Sequence, residues 1–291
     1  MRNVMLFADT RTGSSALFWL IRQTYHAHRQ IDNYPARLPD AMGSQRNSTT
    51  RSKQDDKLIE GIGEPWHAGV VNYYFENETY RELYSGIKHD NVVLKDQPWH
   101  ILRDIHDNVY RISYGCKHIW SHLTEGTNYS LLLKSINEDH KIIFLDRNAI
   151  GRKSLSHLLA QQTKHCGKYT NGVPKFESVD LDRLKFLCDR YKRTKRDYKT
   201  FLEEYTDNVY FATYENIFCR DTYEEKLSAL QDVIEFLGFD RDDVVYTSAE
   251  TRLNPDQRQN TDDILRTIPN IKDVCRLIRD EYGEHILPRP W

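Results

Sequence analysis

Five short apolar runs, "NVMLFAD", "KLIEGIG", "RISYGCKHIW", "KIIFLDR" and "NVYFATYENI", recur along the chain with helical patterns between them. No all-helical or all-β fold accommodates that alternation. Runs that are apolar throughout read as strands covered on both faces, and strands separated by helices pair in parallel through crossovers. The pattern predicts an α/β protein with a central parallel sheet. Between the runs, "ALFWLIRQTY" bunches its apolar residues on one side, and Leu227, Leu230, Val233, Ile234 and Leu237 repeat at helical spacing, so both stretches are expected to pack on the sheet.

No Pro/Gly/Ser linker divides the 291 residues, and a hydrophobic content of 39% is enough for one full core, so residues 1–291 are read as a single domain. The segment 36–57, "ARLPDAMGSQRNSTTRSKQDDK", lacks an apolar period and is predicted to be a long mobile loop. The most basic stretch, "DLDRLKFLCDRYKRTKRDYKTFL", lines Leu181, Leu184, Leu187, Cys188, Tyr191 and Tyr198 on one stripe. Its charges therefore read as the solvated face of a packed helix rather than a nucleic-acid surface. A net charge of −2 likewise gives no global footprint for nucleic acid or an anionic membrane, so any anion site must be local.

Cys116, Cys166, Cys188, Cys219 and Cys275 are odd in number and form no C-x-x-C pair, which argues against a disulfide framework or a zinc site. No run approaches a membrane span, and Met1 leads almost directly into "VMLFA", so neither a span nor a signal peptide is expected. A cytoplasmic protein is the consequent expectation. Sequons at Asn47, Asn77 and Asn128 are then read as accidental.

Chemistry concentrates where the first strand turns into the first helix, at "DTRTGSSAL". A helix starting just after Gly13 presents unpaired N–H groups and the positive end of its dipole. Thr12, Ser14 and Ser15 add hydroxyls, Gly13 permits close approach, and Arg11 adds a fixed charge. The set suits a phosphate; the competing reading is an ordinary N-capped helix. Neither nucleotide fingerprint fits: "GK" at Gly167 and Lys168 lacks the other Walker residues, and "GIGEPW" places Trp66 where G-x-G-x-x-G needs its third glycine. A second junction, "IIFLDRNAIGRKSLSHLLAQQT", supplies Arg147 at a strand end with Ser154 and Ser156 beyond, a second anion subsite. One ligand with two separated phosphates accounts for both.

Together these residues resemble the PAPS-dependent sulfotransferases, whose donor is 3′-phosphoadenosine 5′-phosphosulfate. "RTGSS" is similar to the family's 5′-phosphosulfate loop, and Arg147 with Ser156, or alternatively Ser154, resembles its 3′-phosphate pair. The run from Ser156 to Thr163 looks like that of bacterial carbohydrate and glycolipid sulfotransferases. "GEPW" at Gly63, "YGCKHIW", "YENI" at Tyr214 and "EFLGF" follow the family's order across most of the chain. The resemblance implies a P-loop-like three-layer fold and donor contacts from Arg11, Thr12, Gly13, Ser14, Ser15, Ala16, Arg147 and Ser156 or Ser154. It implies PAPS as donor, PAP as product, and a hydroxyl acceptor on a sugar or glycolipid. Two departures stand out. Arg11 replaces the usual loop lysine and so acts electrostatically rather than as an acid, and the C-terminal R-K-G segment is absent, with Arg258 as a substitute donor contact.

Sulfuryl transfer needs positioning, charge stabilisation and a base for the acceptor hydroxyl. Glu64 is the first choice, expected just beyond the carboxyl end of the second strand and beside the first. His67, His118 and His122 are the alternatives, and Lys117 is a candidate to orient the acceptor or sulfate. Trp66, Tyr73, Tyr74 and Trp99 are candidates for a sugar-stacking platform. Competing functions are a P-loop-like kinase or other nucleotide transferase, predicting magnesium-dependent ATP binding, and a non-enzymatic nucleotide-binding protein.

Overall fold

The computed structural model describes residues 3–31, 64–65, 103, 107, 115–122, 124–163, 172–253 and 261–287. Five strands form one sheet: β1 (Val4–Ala8), β2 (Glu64–Pro65), β3 (Gly115–Ile119), β4 (Lys141–Asp146) and β5 (Val209–Thr213), in the order β2-β3-β1-β4-β5. Four of them run parallel, with β1 between β3 and β4, and only β2 is antiparallel, on β3. The helices are α1 (Ser14–Ile31), α2 (Glu125–Asn137), α3 (Ile150–Thr163), α4 (Leu181–Tyr205), α5 (Tyr214–Phe218), α6 (Tyr223–Leu237), α7 (Tyr246–Leu253), α8 (Asp262–Arg266) and α9 (Ile271–Tyr282). This is a three-layer α/β fold.

Every residue of β1 and β3 is buried, as parallel strands inside such a fold require. Alternation then sorts the side chains. Val4, Leu6, Ala8, Ile143, Leu145 and Ala212 join Leu17 and Ile21 of α1, and Leu230, Val233 and Ile234 of α6, in one core. On the opposite face Phe7 stacks on His118 at 5.4 Å and receives the edge of Tyr198 from α4 at 5.2 Å. A further core joins α3 and α4 to α8 and α9 through Leu159, Leu184, Cys188, Leu265, Val274 and Ile278. The basic stretch folds as expected: Leu184, Leu187, Cys188, Tyr191 and Tyr198 form the buried side of α4.

One strand expectation is corrected. The run "KLIEGIG" lies outside the described residues, and Glu64, expected past a second strand beside the first, sits in β2 with β3 between it and β1. Its register partner is Lys117, and that of Pro65 is Cys116. Proline explains the edge position: it has no N–H to give to a second neighbour. The run "NVYFATYENI" also divides, with Thr213 capping the short helix α5 through the Asn216 N–H. The predicted loop at 36–57 falls outside the described residues.

Candidate functional site

The carboxyl ends of β1 and β4 are adjacent, and the chain leaves them in opposite directions, toward β3 from the one and toward β5 from the other. Such a switch point opens a crevice at the end of an α/β sheet. Both predicted anion junctions lie on it.

At the first junction Asp9 builds the turn. Its Oδ1 accepts the Thr10 N–H at 2.7 Å and its carbonyl accepts the Thr12 hydroxyl at 2.7 Å. Thr12 is fully buried, so its hydroxyl shapes the loop instead of facing a ligand. Gly13 follows with φ +76°, and a Cβ there would lie 2.8 Å from ring carbons of both Tyr214 and Phe218. Glycine is therefore required on two counts. The Gly13 carbonyl accepts from the N–H groups of Ala16 and Leu17, which starts α1. Among the described residues no side chain accepts from the N–H groups of Gly13, Ser14 or Ser15, and the first turn carries no acidic residue. Lys117, almost fully buried on β3, donates from Nζ to Ser15 Oγ at 3.2 Å. A cation thus stands beside an open helix start.

The second junction is built differently. The N–H groups of Asn148 and Ala149 donate to the Glu215 carboxylate at 2.9 and 3.0 Å. Those at the start of α3 converge on Glu284, whose Oε2 accepts from Gly151 at 2.9 Å with Ile150 and Arg152 adding support. Burial raises the Glu284 pKa, against the pull of these amides and of Arg147. Protein carboxylates therefore hold this helix start, and an anion here meets side chains instead.

Arg147 is the chief of them. Its guanidinium lies over the Tyr214 ring at 4.5 Å, and its Nη1 donates to the Arg11 carbonyl at 3.4 Å. Nε is buried without a hydrogen-bond partner among the described residues, and the nearest carboxylate oxygen of Glu215 is 3.8 Å away. Burial lowers the Arg147 pKa, partly countered by Tyr214 and Glu215, yet a guanidinium stays charged. Arg11, a non-glycine residue at φ +63°, turns its Nε onto Ser156 Oγ at 3.0 Å. Residues from the two junctions thus touch each other directly.

Ser154 and Ser156 now separate. Ser156 faces Arg11, whereas Ser154 is wholly buried beside the Cys188 thiol of α4, which burial pushes up to about 11, and its Oγ has no hydrogen-bond partner among the described residues. His118 is also wholly buried, on the opposite side of β3 from Lys117, and bonded to Asn128 Oδ1 at 2.8 Å. Asn128 bonds onward to the Trp120 carbonyl and the Tyr198 hydroxyl, so this sequon has no accessible amide. His118 thus sits in the core, with its Nε2 held by Asn128. Glu64 is placed by its backbone alone, opposite Lys117. The His122 side chain, and all of His67, Arg258, Trp66, Tyr73, Tyr74 and Trp99, lie outside the described residues.

Sequence reasoning missed the charged layer under the crevice. Lys153 Nζ, fully buried, lies 2.9 Å from Asp9 Oδ2 and 3.2 Å from Asp146 Oδ1. Lys195 reaches Asp146 Oδ2 at 2.8 Å. Burial opposes the Lys153 charge, but Asp9 and Asp146 outweigh it and raise its pKa. The available signal was an aspartate at the end of each of two neighbouring strands. Neither the comparison with protein-family models nor that with curated proteins gives a match for this chain.

Proposed function

We propose that the protein is a sulfotransferase that moves a sulfuryl group from PAPS to a hydroxyl of a carbohydrate or glycolipid. The observation that carries this reading is the meeting of the two junctions at Arg11, Arg147 and Ser156, with a buried, incompletely bonded guanidinium between them. Such a group gains most from an anionic oxygen. A ligand with phosphates at two places engages the open start of α1 with one and Arg147 with Ser156 with the other.

In the proposed reaction the acceptor oxygen forms a bond to sulfur as the bond from sulfur to the bridging phosphate oxygen breaks. The Gly13, Ser14 and Ser15 amides, Arg11 and Lys117 stabilise the charge that collects on the leaving phosphate. Glu64, placed by register opposite Lys117, takes the acceptor proton. The neutral-to-acidic overall charge and the absence of a helix able to cross a membrane among the described residues accord with a small-molecule nucleotide donor, and we place the reaction in the cytoplasm.

Calorimetric titration with adenosine 3′,5′-bisphosphate (PAP) against ATP with magnesium tests the donor site. One bisphosphate bound per chain, more tightly than ATP, is the expected result. Tighter ATP binding moves the reading to a kinase, and binding of neither leaves the sulfotransferase reading without a donor site.

A further inference from the structure

Beneath the crevice, one ammonium joins the two junctions. Lys153 is completely buried, its Nζ held between the carboxylates of Asp9 and Asp146 and lying 4.3 Å from the centre of the Tyr191 ring. Asp9 in turn fixes the turn of the first junction through Thr10 and Thr12. Asp146 immediately precedes Arg147, and Lys195 clamps it to the second junction by also donating to Asn148 Oδ1 at 2.9 Å. We propose that Lys153 is a positioning residue that sets the spacing of the two anion subsites, and thereby the preference for a ligand with two separated phosphates over one with a single phosphate. This rests on the donor reading above.

The physical case is one of cost and geometry. A buried triad of charges stabilises a fold no better than well-packed apolar residues of the same volume, so stability alone does not account for it. What it supplies is a short, directional link between the ends of two strands, at a place the sheet's own hydrogen bonds no longer reach. A ligand that engages both subsites at once gains from a preset distance between them, because its second contact is then made without further ordering. A ligand that engages one subsite gains nothing from it.

Calorimetry with PAP and with adenosine 5′-monophosphate, on the full chain and on Asp146→Asn and Lys153→Met, reads this directly. Asp146→Asn cuts the link on the β4 side, leaves Lys153 paired with Asp9, and makes the site more positive. Simple electrostatics would therefore strengthen both ligands. Loss of spacing instead lowers the preference for PAP over the monophosphate by about tenfold. Lys153→Met weakens both ligands, by leaving the Asp9 carboxylate uncompensated while Lys195 still pairs Asp146, and PAP the more. A preference equal to that of the unmodified chain in Asp146→Asn overturns the inference while leaving the donor reading intact. If Lys153→Met does not fold, Asp146→Asn decides alone. Failure of the unmodified chain to bind either nucleotide overturns the donor reading and this inference together.

Discussion

Gly13 shows how narrowly one residue can be specified. Its backbone lies in the left-handed region, and the space a Cβ needs is already filled by the rings of Tyr214 and Phe218. Gly13→Ala therefore adds backbone strain to overpacking, and is expected to destabilise the protein by about 2–4 kcal/mol. Urea denaturation measures this; an unchanged midpoint would mean that the loop and α5 move apart freely. Two residues earlier, Arg11 occupies the same region without glycine's freedom, at φ +63°. Its strain is held by Arg147 on the carbonyl and Ser156 on the side chain, the two residues proposed for the second anion subsite.

Among the elements, β4 and its flanks show what sequence patterns reveal and what they conceal. The apolar run "KIIFLDR" predicts the strand, and Arg147 stands at its end as expected. Lys153 and Lys195 were invisible because helical periodicity assigns charged residues to the solvated face, and neither shows in sequence that an aspartate waits across the packing. β2 was misplaced for a related reason: an antiparallel edge pairing depends on where a distant segment returns, not on the apolar run before it. The turn between α2 and β4 holds a titratable group of its own. His140 is buried beside Asn3, and burial pushes its pKa down to about 4 from 6.5, against the pull of Glu138. Between those values the unfolded chain holds the extra proton. Stability from this residue is thus complete above about pH 6.5 and declines as the pH falls toward about 4, by up to about 3 kcal/mol. Urea denaturation at about pH 7 and about pH 5 tests this, and His140→Asn should flatten the difference; an equally steep loss in the variant would assign the effect to other groups.

The molecule as a whole is organised around the switch point between β1 and β4, and its layers were legible because apolar runs and helical patterns alternate so regularly. Proximity within the crevice was less so, since Arg11 and Ser156 come together only through the order of the strands. Catalysis is expected to draw on the far edge of that order as well. Glu64→Gln should lower turnover by about a hundredfold or more while PAP affinity stays within about twofold; steady-state rates with calorimetry separate the two, and unimpaired turnover would remove Glu64 as the base. The two helix starts differ in a way that bears on change over time. At α1 the open donors are backbone N–H groups, which a change of Ser14 or Ser15 to any residue except proline preserves, whereas at α3 those groups are engaged by Glu284 and the buried donor left over is the Arg147 side chain. On the proposed reading, drift at Ser14 and Ser15 leaves the first subsite's amides in place while a single codon rewrites the second, so new ligand preferences in descendants of this chain would arise at Arg147 before they arise at those serines.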